Sequence, residues 1–380
     1  MVRGNRLSHA LLLLGKEGTG GLPVALAFAQ YLVCEKNAAS RDTAPVPGLF
    51  GEPVTTALAE DACGECAACK KAAAFIHPDI HFSFPSITKK PSSPAVSNDW
   101  MKEWREFISL HPYGSIFDWL QFINAENKQG NITAEECNEI MRKLSMKSYE
   151  SRYKILIVWM PEYLGNNGNR LLKLIEEPPE DTLFLLVAEN DNMILPTILS
   201  RTQLIGLPLL DTASITTALT QRSAVPEEQA RQLALLSEGN YREALNLLNH
   251  AGDDWQAYFR SWLNAIMKTG PIAQTRWVDE MSAQGREKQK QFLQYCIHLV
   301  EQAVRLQVME GIGDSIAENE KDFAGRLNKL AGIGQQQAMI EEFNQAIGYI
   351  GRNANPKMLF HALTIKLYHI IANKSLILVN

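Results

Sequence analysis

Three groups of residues in this chain of 380 carry side chains and spacings suited to chemistry. The first is a set of thiols. Cys63, Cys66 and Cys69 stand in C-x-x-C-x-x-C spacing with Cys34 upstream, so four of the six cysteines belong to one constellation. Thiolates spaced this way converge on a single tetrahedral ion, and in a reducing compartment the usual occupant is zinc. An iron–sulfur run would continue with a cysteine four places on and then proline, where this chain has Ala73 and Ala74. A disulfide is disfavoured in the same compartment. A closed four-thiolate site leaves no open coordination position, so the expected role is structural. Residues 35–62, an insert rich in Ala, Pro, Thr and Gly, separate Cys34 from the trio. His77 is therefore the alternative fourth ligand.

The second group is the loop Gly15-Lys16-Glu17-Gly18-Thr19-Gly20-Gly21-Leu22. It follows a strand-like run at 7–15 and precedes a helical segment at 24–33, which is the context of a phosphate-binding loop. Gly15 and Gly20 keep the motif's spacing. The chemistry is missing: Gly21 stands where the motif has Lys, and Leu22 where it has Ser or Thr. No ammonium reaches the β- and γ-phosphates, and no hydroxyl ligates magnesium. Lys16 lies at the wrong end of the loop to substitute. Backbone N–H groups at the helix start could still cradle an anion. The loop glycines Gly15, Gly18, Gly20 and Gly21 are nevertheless expected to be a packing turn, with no ATP held there. The third group ends at Arg201, in Leu195-Pro196-Thr197-Ile198-Leu199-Ser200-Arg201. Its guanidinium is always charged and meets phosphate oxygens as a planar fork.

The elements that must position these groups are legible as periodicity. Residues 154–160 and 182–188 are short apolar runs, the pattern of strands buried on both faces of a parallel sheet. Between them Leu171, Leu172, Leu174 and Ile175 share one side of a 3.6-residue repeat, so an amphipathic helix is expected there. Pro178 and Pro179 stop it. This is a strand–helix–strand crossover, the unit of a nucleotide-handling α/β domain. Ile80, Phe82 and Phe84 alternate as a half-buried strand after the turn residue His77. Trp100, Trp104, Phe107 and Ile108 recur at helical spacing without a flanking basic row, so they read as a core face rather than a base-stacking platform. Thr133 and Glu136 form a capping box for a helix at 134–146, in which Cys137, like Cys296 later, is a small core residue. The polar stretch 89–97 is expected to be a flexible insertion.

From Pro208 onward no strand pattern returns, and helices are expected at about 211–221, 226–237 and 240–249 and then to the end. Trp255, Tyr258, Phe259 and Trp262 mark one apolar face, and Phe292, Cys296, Leu299 and Val300 another. All-helical domains of this kind bury such faces against relatives, so oligomer formation is expected. The chain is large enough for two or three domains. A net charge of -5 argues against a free-standing nucleic-acid binder, so any DNA contact would be local or supplied by partners. No apolar run reaches bilayer length and the first residues do not read as a signal peptide, so a cytoplasmic protein is expected.

Lys-Ile-Leu-Ile-Val at 154–158, Leu-Leu-Lys-x-x-Glu-Glu-Pro-Pro at 171–179 and Leu-x-x-x-Leu-Ser-Arg at 195–201 together resemble the clamp-loader branch of the AAA+ ATPases. The likeness covers nearly the whole chain and is tightest over 6–34, 63–80 and 154–202. It implies an AAA+ P-loop-type α/β domain at 1–207 with a zinc-binding insertion at about 34–77. A helical lid at 208–252 and an all-helical collar at 253–380 would follow. The family's four-cysteine insertion after the first helix supports Cys34 as the fourth ligand. ATP-hydrolysing members end the first of these strands in an Asp-Glu pair; here those places are Trp159 and Met160. Neither ligates a hard cation or orients a water. In AAA+ rings the arginine at the position of Arg201 points at the next subunit's nucleotide. Arg242, in Gly239-Asn240-Tyr241-Arg242, resembles the family's second sensor, and the first sensor would fall among Glu189, Asn190 and Asp191. The resemblance thus implies a non-hydrolysing subunit of a bacterial DNA polymerase III clamp loader, with Arg201 as a trans arginine finger. Its partners would be gamma/tau-type and delta-type subunits, the sliding clamp and, through the complex, primed DNA. The competing expectation is an ATP-hydrolysing gamma/tau-type motor.

Overall fold

The computed structural model describes residues 7–42, 46–47, 53–54, 61–89, 93–125, 128–249, 255–308, 318–352 and 354–372. The chain's first residues, parts of the 35–62 insert and residues 90–92, all of which entered the expectations above, lie outside the described residues. Among the described residues no helix is long and apolar enough to cross a membrane. The chain divides into two compact units, Met1–Asn246 and Leu247–Asn380.

In the first unit β1 (Ala10–Leu14) leads into α1 (Gly21–Val33) and α2 (Glu35–Asp42). A two-residue antiparallel pair, β2 (Val46–Pro47) and β3 (Pro53–Val54), precedes α3 (Ala67–Ala73) and β4 (Ile80–Ser83). Three helices follow: α4 (Met101–Leu110), α5 (Ile116–Phe122) and α6 (Ala134–Ser145). The central crossover runs from β5 (Lys154–Trp159) through α7 (Leu172–Glu176) to β6 (Thr182–Ala188), and then to α8 (Pro196–Leu199) and β7 (Gln203–Gly206). The five long-range strands pair in parallel in the order β4-β5-β6-β1-β7. Three helices follow: α9 (Thr212–Ser223), α10 (Glu227–Leu236) and α11 (Tyr241–Asn249), the last running past the unit's end at Asn246.

Strand side chains alternate between faces, and the two cores follow that alternation. Leu11, Leu13, Ile155, Ile157, Trp159, Leu185 and Val187 face one core, with α1, α4 and α5. Leu12, Leu156, Val158, Phe184 and Leu186 face the other, with α6 and α7. The helix-spaced aromatics do belong to a core. Trp104 stacks on Phe84 at 4.1 Å and meets Trp119 edge-on at 5.3 Å.

Three local expectations need correction. The segment between β5 and β6 is not one amphipathic helix: a 3₁₀ stretch, Pro161–Leu171, kinks at Gly165 with φ 48°, and only five residues of α7 are α-helical. The run Gly165-Asn166-Asn167-Gly168-Asn169 has weak helix propensity, which lets the chain bend there. The capping box at α6 is half formed. Thr133 accepts from the Glu136 amide, but the Glu136 carboxylate accepts instead from the Ser97 amide at 2.7 Å. That second bond also ties down the end of the supposedly flexible 89–97 stretch, where Ala95 and Ser97 are buried.

The second unit contains α12 (Trp255–Asn264), α13 (Pro271–Ser282), α14 (Arg286–Val308), α15 (Glu318–Leu330), α16 (Ile333–Gly351) and α17 (Pro356–Ala372). Its core is separate and includes Phe259, Trp262, Phe292, Cys296, Phe343 and Phe360. Trp262 stacks on Trp277 at 4.4 Å and donates its indole N–H to Thr364 at 3.0 Å.

Candidate functional site

The glycine loop, the ends of β5 and β6, and the start of α11 meet at the carboxyl edge of the sheet, where parallel α/β folds place their ligand crevice. Backbone bonds knit this edge: Gly15 donates to the Ala188 carbonyl, Met160 to Val187 and Leu207 to Leu14. The cleft there is open to solvent and is lined by Gly15, Lys16 and the loop from Gly18 to Pro23, with Tyr113, Trp159, Met160 and Glu189. The loop makes a left-handed turn at Gly18 and Gly20, with φ 77° and 91°, a conformation glycine adopts without penalty. At Gly21, the place of the motif lysine, a Cβ would lie 2.9 Å from Val187 Cγ1. Trp159 is buried and packs 5.1 Å from Trp104. Met160, buried beside it, adopts φ 56°.

Carboxylates do stand at this edge, but not where metal-binding ones would. Glu162 accepts from the Glu189 and Asn190 amides at 2.6 and 2.9 Å. Burial, with Glu17 and Glu162 nearby, pushes the Glu189 carboxyl up to about 8. Of the three candidate sensor residues, Glu189 alone lines the cleft, while Asn190 caps the turn that follows.

Arg242 is 6 % exposed and fully engaged. Its Nε and Nη2 donate to the two Asp118 oxygens at 2.5 and 2.7 Å, and Nη1 donates to Glu17 of the glycine loop. Burial raises the Asp118 carboxyl, but the Arg242 bonds and charge, with the Ser115 amide, outweigh it and hold it below the usual range. Sequence reasoning missed Glu17 and Asp118. The available signals were Ser115-x-x-Asp118, a helix-start pattern that the structure forms as a capping box, and an acid inside a loop whose counterparts meet phosphate.

Arg201 sits on the turn after α8, with its side chain one-third exposed. It donates from Nε to Glu176 Oε1 at 2.5 Å and from Nη1 to the Thr197 carbonyl at 2.9 Å. Glu176 is the first acid of the Glu-Glu-Pro-Pro run, so α7 and α8 together position the guanidinium.

Away from that edge, Cys34, Cys63, Cys66 and Cys69 gather with all four sulfurs within 4.8 Å of one another. Cys34 ends α1 and Cys69 lies on α3, with Cys66 at the start of that helix. A tetrahedral zinc with thiolates at about 2.3 Å would set its sulfurs about 3.8 Å apart, and the Cys63 and Cys69 sulfurs are 3.9 Å apart. Backbone amides of Cys63, Cys66 and Cys69 point at Cys34, Cys63 and Cys66 sulfur, each at 3.4 Å. Such donors stabilise thiolates: the Cys66 and Glu65 amides hold the Cys63 thiol down to about 6, whereas burial, with Cys66 beside it, raises that of Cys69. The donor set therefore fits a metal ion. His77 is not part of it: its Nδ1 accepts from the Asp79 amide and its Nε2 faces Glu150.

A five-stranded parallel sheet with a glycine loop between β1 and α1 makes this unit an α/β domain of the P-loop type. The family model for the DNA polymerase III delta subunit matches residues 52–211. DNA polymerase III subunit delta' of Bacillus subtilis is 28 % identical over 64 % of this chain and 54 % of its own length. Subunit tau of the same organism is 26 % identical over 71 % of this chain and 38 % of its own. A gamma-subunit-related protein of Thermotoga maritima covers 95 % of each chain at 14 % identity and a TM-score of 0.38. In sequence the chain is similar to delta' and gamma/tau subunits of DNA polymerase III. It spans about half the length of the delta' relative and less of tau.

Proposed function

We propose that this chain is a non-hydrolysing delta-prime-type clamp-loader subunit. It helps place a sliding clamp on primed DNA and lends Arg201 to the nucleotide of a neighbouring ATPase subunit. The observation that carries the first half is the pair Trp159 and Met160, buried at the end of β5 where hydrolysing relatives need two carboxylates. Gly21, with Val187 against it, speaks the same way. A nucleotide titration on the isolated chain tests this: magnesium-dependent micromolar affinity for ATP would favour the gamma/tau-type motor instead.

The second half is supported by where Arg201 stands. Its guanidinium reaches solvent beside the family's Ser-Arg, and its ion pair with Glu176 is one a phosphate oxygen can replace. Arg201→Ala in the assembled complex should slow ATP turnover at the adjoining site by about three powers of ten or more, with assembly unchanged on gel filtration. Normal turnover would refute the finger.

The remaining assignments belong to the same reading. Zinc at the four cysteines is structural. The division into an α/β part at 1–207, a lid at 208–252 and a collar at 253–380 follows the family plan. Gamma/tau-type and delta-type subunits and the clamp are the partners, and the cytoplasm is the compartment. Partnering through the helical part is supported by α17, which presents Met358, Ile365 and Tyr368 to solvent at one helical spacing.

A further inference from the structure

The Arg242 guanidinium does not wait for a ligand. Three of its nitrogens donate to carboxylates of the chain itself, Asp118 on α5 and Glu17 on the glycine loop. The strap leading into α11 lies directly on that loop. Tyr241 donates its amide to the Gly18 carbonyl at 3.2 Å, and a Cβ on Gly18 would meet Asn240 Oδ1 at 1.7 Å. Tyr241 and Tyr113 meet edge-on at 4.8 Å, with the Arg222 guanidinium of α9 beside them. Glu189 lines the same cleft. An entering triphosphate would meet Glu189 in the cleft wall, while Arg242 is already bound bidentately by Asp118 and by Glu17 of the adjoining loop.

We propose that Glu17 and Asp118 act as an internal anion: their carboxylates take the place on Arg242 that a nucleotide's phosphates would fill, which both excludes triphosphates and holds α9–α11 on the sheet without any ligand. Guanidinium binds carboxylate and phosphate with the same planar fork, which makes the substitution chemically even. This rests on the reading that the chain holds no ATP, and it names the residues that enforce it.

Amide hydrogen exchange on the full chain tests the proposal, comparing wild type with Glu17→Gln and with Glu17→Gln/Asp118→Asn, each with and without millimolar tripolyphosphate. In the double variant α11 amides should exchange about tenfold faster or more, as the loss of charge-assisted bonds implies. Protection of β5 and β6 should stay unchanged. Tripolyphosphate should restore α11 protection in the double variant and leave wild type unaffected. Unchanged α11 exchange in both variants would overturn the proposal, as would an equal response of wild type to tripolyphosphate. Should the double variant also lose β5 and β6 protection, the single Glu17→Gln variant decides by the same readouts, since that side chain is 39 % exposed. Magnesium-ATP binding to wild type is a separate arm and strikes at the no-nucleotide reading itself, whereas the variants report on the carboxylates.

Discussion

Asp79, buried just before β4, accepts the amides of Tyr149, Glu150 and Ser151 at 2.5, 2.9 and 2.8 Å. One carboxylate thus pins the loop ahead of β5 to the strand beside it. Burial alone would raise its pKa, but the three amides and His77 outweigh that and hold it below the usual carboxylate range. Asp79→Ala leaves those donors without their anion and should cost about 2–3 kcal/mol in urea denaturation. The pH dependence has a definite sign. A depressed folded pKa contributes stability above the unfolded value near pH 4, and that stability is lost as pH falls through the folded pKa. Between pH 5 and 3 the wild type should therefore lose more stability than Asp79→Asn; equal losses would show that the amides do not bind the charged form. At this scale the sequence was uneven to read. The thiols advertise themselves by spacing, and Cys34 joins them in the structure despite the insert. Asp118 and Glu17 carry local signals of their own, but nothing in the sequence pairs them with Arg242, because 124 and 225 residues separate them from it and only the fold brings them together.

Among the elements, those with dense apolar runs were legible and those built from mixed residues were not. β1, β5 and β6 are continuous hydrophobic stretches and fall where that pattern puts them. β7 was missed: Gln203-Leu204-Ile205-Gly206 is short and mostly exposed, and its identity as a strand comes only from pairing with β1. The start of α3 and the end of α1 share the four thiols, with little apolar contact to replace them in the 63–66 turn. Removing a bound metal with a chelator should release α3 and the end of α1 while leaving β5 and β6 protected against hydrogen exchange. One metal equivalent per chain, lost in parallel with that protection, is the expected result. Full protection after the metal has gone would mean that packing alone holds the module.

For the whole molecule, the separate cores of the two units carry a simple expectation. The aromatic cluster of Trp262, Trp277, Phe292 and Phe360 lies wholly within the second unit. A chain starting at Leu247 should then fold by itself, giving a helical spectrum and one cooperative thermal transition. A gradual, non-cooperative melt would show that this unit depends on the other.

The packing around β5 also bears on what side chains its end can carry. Trp159 fills a pocket made by Trp104 and Phe107. An aspartate placed there would be a lone negative charge beneath aromatic rings, with a vacancy where the indole had been. Beside it, Met160 turns on a backbone angle that L-residues seldom take. Placing a pair of carboxylates at the end of β5 would therefore demand a rebuilt interior, not just a few exchanged letters.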